Sequence, residues 1–164
     1  MKILLGLVLF AKNEYIQECF INQMKTGDFK KEYISVVEGF FDDINKKGTI
    51  NKPISRKQNS IIERCVDDNG DYSVTHYEVL KENKIDNTPI SIVKCVLETG
   101  RTHQIRVHMS YINHPLLGDD LYGGNTNLIK RQALHSYKMS FIHPVFKQNL
   151  SFIASIPKDL NVFM

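Results

Sequence analysis

At 164 residues, with 42% hydrophobic and 24% charged side chains, the chain is long enough to bury a core and too mixed in composition to be disordered. Three scattered cysteines (Cys19, Cys65, Cys95) without a CxxC pair count against a disulfide framework or thiolate zinc site and point to a reducing cytoplasm, and no apolar run approaches the ~20 residues of a membrane span. A net charge of +3 permits an anionic partner without requiring one, so any case for RNA must rest on local arrangement.

The apolar stretch Ile3–Ala11 follows Met1 and Lys2 and so imitates a secretory leader. It is short, Leu9 and Ala11 make a poor cleavage site, and Lys12 and Glu14 follow at once. Its apolar residues fall on both parities, which predicts a strand covered on both faces. Asn13 is placed to cap a helix through about Thr26, with Ile16, Phe20 and Met24 on one stripe and Gly27 as the stop. Glu32–Glu38 reads as a strand ended by Gly39. Residues 42–60 are polar, carry Gly48 and Pro53, and predict an exposed connection. Their cations Lys46, Lys47, Lys52, Arg56 and Lys57 belong either to a solvated loop or to a phosphate-contacting one.

A short strand is expected within Ser60–Val66. Ser73–Leu80 and Pro89–Glu98 predict an antiparallel pair across a polar turn at 81–88. A helix over His103–Tyr111 follows, with Thr102 as its cap and Ile105, Met109 and Ile112 as its apolar stripe. Residues 118–127 are turn-rich, and Leu134–Phe141 and Leu150–Ala154 predict closing strands. The expected whole is one mixed α/β domain over 1–164: a mainly antiparallel sheet with a few helices, without an internal repeat or linker.

Chemistry concentrates in residues 97–124, LETGRTHQIRVHMSYINHPLLGDDLYGG. A strand ends, Gly100 permits a tight turn, and Arg101 falls at a strand-to-helix junction where backbone N–H groups and a guanidinium face an anion. His103, Arg106 and Ser110 share a helix face. The pattern fits either an anion site at the turn or a surface helix with routine contacts. His103 and His108 diverge on a helix, and the six histidines with Cys95 show no metal-ligand spacing, so no metal is expected.

TGRTHQIRVH followed by HPLLGDDLYG resembles the signature of RluA-type RNA pseudouridine synthases, and the likeness covers nearly the whole chain. Lys31-Glu32-Tyr33 resembles the family's K-x-Y strand. Lys52-Pro53-Ile54, Thr75 and Tyr77 fall where the family has its middle hairpins, and Leu134-His135 with His143-Pro144 match its closing segment. The resemblance implies isomerisation of uridine to pseudouridine in rRNA or tRNA, with no metal and no organic cofactor. In that family an aspartate attacks the uridine covalently after the base leaves its stack. By resemblance, Tyr33 supplies a stacking platform for the base. Arg101 or Arg106 pairs with the aspartate. Lys31, Arg101, His103 and Arg106 touch the RNA.

The family nucleophile lies in a segment of the form R-L-D-x-x-T-S-G ahead of a strand like LVLFAKN. Gly6 aligns with its last glycine, which puts Met1 at the aspartate position, and no acid occurs before Glu14. The expectation is a partial, N-terminally truncated catalytic domain that lacks turnover by itself and is completed by an upstream fragment. Two alternatives stay open: an RNA-binding module without catalysis, and a protein whose arginine turn binds a phosphate metabolite.

Overall fold

The computed structural model describes residues 4–164. Met1, at the expected aspartate position, and the start of the Ile3–Ala11 strand lie outside the described residues. A seven-stranded sheet organises the chain, in the order β1 (Leu5–Gly6), β8 (Leu134–Ile142), β2 (Lys30–Glu38), β7 (Thr88–Leu97), β6 (Val74–Ile85) and β3 (Lys47–Asn51), with β9 (Asn149–Ile153) also pairing β8. Every pairing is antiparallel except that of β1 with β8. Three of these strands form its centre: β2 (Lys30–Glu38), β7 (Thr88–Leu97) and β8 (Leu134–Ile142).

The helix α1 (Glu14–Thr26) begins and ends where its caps predict. The Asn13 side chain accepts from the Ile16 N–H at 2.9 Å, and Gly27 closes it in the left-handed conformation. Its apolar stripe seats Phe20 against Phe29 and Phe141, edge-on at centroid distances of 5.7 and 5.1 Å. The second helix, α2 (Gln104–Tyr111), lays Ile105 and Met109 on Val37, Val93, Cys95 and Leu97. Both helices lie over the face of β2 that carries Lys31, Tyr33 and Val37. A short C-terminal helix, α3 (Lys158–Asn161), was not foreseen; with Phe163 it packs Leu160 under Val36 and Ile90 on the other face.

Several expectations need correcting. The strand predicted over Ile3–Ala11 shrinks to β1 (Leu5–Gly6), and Leu7, Leu9 and Ala11 pack against the α1 cluster rather than continue a ladder. The predicted connection at 42–60 holds two strands, β3 (Lys47–Asn51) and β4 (Ile54–Arg56). Each buries one isoleucine, Ile50 or Ile54, in an otherwise polar run, too little alternation to stand out in sequence. The short strand β5 (Arg64–Val66) pairs with β4 as a separate hairpin. The central pair is β6 (Val74–Ile85) and β7, and its turn is only Asp86 and Asn87. Both have positive φ, 48° and 63°, the two-residue turn whose twist matches a hairpin. The closing strands form as expected, with β9 at Asn149–Ile153.

Candidate active site

β7 ends at Leu97, and the next six residues turn the chain into α2. That turn is tied by one side chain. The Gln104 carbonyl oxygen accepts from the Thr99 hydroxyl at 2.8 Å and from the Arg101 N–H at 2.9 Å; its amide donates to the Val74 carbonyl at 2.9 Å and the Thr75 hydroxyl at 3.1 Å. Thr75 in turn meets His108 Nδ1 at 2.8 Å, and His108 Nε2 reaches the Lys52 carbonyl at 2.9 Å. An imidazole facing a carbonyl with Nε2 must carry its proton there, so Nδ1 accepts from Thr75. Burial lowers the His108 pKa below that of a free imidazole. The relay pins the turn to β6 and to the approach of β4.

His103, not Thr102, is the residue at the N-cap of α2, in the left-handed conformation (φ 59°) and without a side-chain cap bond. A non-glycine residue holds that conformation at a cost of about 1 kcal/mol. The ring is fixed by Tyr122, whose hydroxyl lies 2.8 Å from Nδ1 and also accepts from the Arg64 N–H at 3.0 Å. The Tyr122 hydroxyl thus bridges the His103 ring and the backbone at Arg64. Burial and the Arg106 and Arg64 charges push the His103 pKa down, only partly opposed by Asp119, so the ring is held neutral. The shared face predicted for His103, Arg106 and Ser110 is the face that meets Tyr122: Ser110 donates to its carbonyl at 2.9 Å, and the Arg106 guanidinium lies 4.7 Å from its ring centre.

The two arginines of the motif differ sharply. Arg106 is buried and grips Asp119 with two bonds of 2.6 Å, Nε to Oδ2 and Nη2 to Oδ1. Asp119 is itself fully buried, so this is a closed, two-pronged pair. Arg106 is thus held by a carboxylate of this chain, and it also lines the cleft that contains Tyr33. α2 is not the surface helix of the alternative reading, since Gln104 through Met109 are all buried. Arg101 is 43% exposed; its Nε donates to the Tyr72 carbonyl at 3.1 Å, and Nη1 comes only within 3.9 Å of the exposed Asp71.

A cleft of about 270 Å³ opens between β2 and this turn, with Leu4, Tyr33, Arg101, His103, Gln104 and Arg106 among its lining residues. Tyr33 rises from the sheet floor opposite Cys95 of β7, and burial raises its phenol pKa. Tyr33, Arg101, His103 and Arg106 are thus brought together. Lys31 is not on these walls: it lines the adjoining apolar hollow of about 590 Å³ under α1. Its Nζ rests 3.9 Å from Met24 Sδ, and burial lowers its pKa. A Cβ at Gly100 would lie 2.9 Å from that ammonium, so glycine lets the turn close over it. Gly118 (φ 73°) is needed for a similar reason, because a Cβ there would overlap the Arg131 carbonyl.

Gln104, Tyr122 and Asp119 were not singled out in advance as organisers of the site. All three sit inside the two motif runs, but only the folded chain shows which partner each one holds. Among the described residues, no group of three or more His, Cys, Asp or Glu could hold a metal ion, and no described helix is long and apolar enough to cross a membrane.

The family model for RNA pseudouridylate synthase matches residues 5–111. The uncharacterized RNA pseudouridine synthase YjbO of Bacillus subtilis is 46% identical over 156 residues, which span 95% of this chain and 53% of that protein. Ribosomal large subunit pseudouridine synthase D of Vibrio cholerae is 37% identical over 169 residues, 94% of this chain and 50% of that protein. The chain thus spans about half the length of the curated relatives it matches. Among solved structures, human RNA pseudouridylate synthase domain containing 1 superposes with a TM-score of 0.73 at 25% identity, covering 89% of this chain and 62% of that one. The match over residues 5–111, the fold and the arginine-bearing turn agree: the chain belongs to the RNA pseudouridylate synthase family, in its RluA-type branch.

Proposed function

We propose that the chain carries the base-holding and backbone-holding half of a site that isomerises uridine to pseudouridine in structured RNA. One observation carries this reading: Tyr33, on the sheet floor, and Arg101, at the end of β7, line the same cleft. A flat aromatic ring offers a face for an unstacked uracil. A half-exposed guanidinium with only a distant carboxylate is suited to orient an attacking aspartate or to meet a phosphate. The neutral His103 ring adds a polar edge without a charge that would compete with Arg101. No metal or organic cofactor is part of the proposal.

The described walls of the cleft present no carboxylate, and Asp119 is consumed by Arg106. The covalent step of the family's reaction needs a carboxylate that these walls do not present. That observation also favours a second reading, in which these residues hold RNA without turning it over. Tritium release from RNA labelled at uridine C5 separates the two. The 164-residue protein is expected to bind structured RNA in a salt-sensitive way and to release no tritium above background. A version in which residues 1–6 are replaced by an R-L-D-x-x-T-S-G segment is expected to release it, and Arg101→Ala to abolish that release. If the replaced version binds RNA yet releases nothing, the non-catalytic reading takes over. Absence of RNA binding at low salt sinks both.

A further inference from the structure

One cation of the region predicted as a loop, Arg56, lines a groove together with arginines from other parts of the chain. Antiparallel pairing of β4 with β5 sets Arg56 directly opposite Arg64, on one face of a two-stranded ribbon. Like charges in that register repel and destabilise a hairpin. The next position shows that this hairpin does use a carboxylate where it closes a pair: Lys57 Nζ meets Glu63 Oε1 at 2.6 Å. Among the described residues, no ion pair closes on Arg56 or Arg64 in that way. Asp67, at the open end of the ribbon, is engaged by Ser55 at 2.8 Å and by the Asn69 N–H at 3.0 Å. Arg64 Nη1 is enclosed by protein and makes no hydrogen bond among the described residues, and an enclosed guanidinium nitrogen without an acceptor is costly.

Arg56 and Arg64 face a polar groove of about 370 Å³ whose other wall is Gly100, Arg101 and Thr102, with Asp71 at its side. Three guanidiniums thus meet across one hollow that holds a single carboxylate. Arg101 belongs to both this groove and the Tyr33 cleft: it is the wall between a place for a base and a basic trough. We infer that the groove seats a backbone phosphodiester of the bound RNA, adjacent to the nucleotide whose base enters the cleft, with Arg56 and Arg64 as its principal contacts. This rests on the reading above and adds the residues that grip the strand. A phosphodiester has oxygens in two directions and suits forked donors arriving from both walls.

The test uses the 164-residue protein, a labelled stem–loop RNA with uridines in its loop, and inorganic phosphate as a separate probe. RNA affinity is measured by anisotropy across salt for the wild type, Arg56→Gln and Arg64→Gln, with thermal midpoints as a folding control. Each substitution is expected to weaken binding several-fold and to reduce the slope of log affinity against log salt by about one. Arg64→Lys is expected to restore the slope and only part of the affinity, because it returns the charge without the fork. Wild-type binding with unchanged affinity and slope in both glutamine variants overturns the groove and leaves the uridine reading standing. A midpoint raised by inorganic phosphate and lost in Arg64→Gln, with RNA affinity unchanged, also overturns it by assigning the groove to a free phosphate compound. Failure of the wild type to bind RNA at all overturns both.

Discussion

The shoulder of the cleft, residues 97–124, and its rim, residues 4–11, are built on opposite principles. In the shoulder the polar groups are closed on one another: Gln104 makes four hydrogen bonds, His108 makes two, and Arg106 and Asp119 face each other in full burial. The rim has two residues of strand, and Val8 and Phe10 remain 67% and 85% exposed. Buried polar closure fixes position, because each misplaced group forfeits a bond it cannot replace with water. Apolar contact at a sheet edge fixes little and leaves surface for others to cover. Arg101 is thus held by a network of bonds within this chain, while the opposite lip is held mainly by apolar contacts.

The largest test of that contrast is Asp119→Ala, which strands a buried guanidinium. It is expected to lower stability by about 3–5 kcal/mol, read by chemical denaturation. A loss under about 1 kcal/mol would mean the shoulder is not held as described. Next comes pH. Because burial lowers the folded pKa of His108, and of His103 in the same direction, the unfolded chain binds more protons once pH drops below about 6.5. Stability is therefore full above that pH and declines as it falls, before the carboxylate range near 4 is reached. The slope from one imidazole is at most about 1.4 kcal/mol per pH unit. His108→Gln is expected to flatten the decline, and a curve of unchanged slope would remove His108 from the account. The smallest effect belongs to the rim: Phe10→Ser is expected to change stability by less than about 0.5 kcal/mol while reducing concentration-dependent association in sedimentation. A larger stability loss would show that the rim is packed after all.

The same contrast separates what sequence revealed from what it hid. Local signals worked where the cause was local: Asn13 and Gly27 bound α1, and alternation found β6 and β7. The motif also led correctly to Arg101 and Tyr33 as neighbours. It did not reveal that Arg106 is held by Asp119, because that partner lies 13 residues away on a turn whose path no periodicity specifies. Thr102 looked like the cap of α2 because threonine is a good one. The Gln104 amide takes over that turn and leaves His103 at the boundary instead. β3 and β4 escaped notice because their evidence is a ladder to β6 and a ribbon with β5, both non-local. The pairing of Arg56 with Arg64 follows only from that ribbon.

The turn that presents Arg101 is tied by an amide, and an amide neither titrates nor attracts counterions. Raising ionic strength weakens charge contacts but has little purchase on the Gln104 bonds. The guanidinium should therefore keep its place from dilute buffer to concentrated salt. Any loss of nucleic-acid affinity with added electrolyte then reports the contacts being broken at the strand, not a site coming undone beneath it.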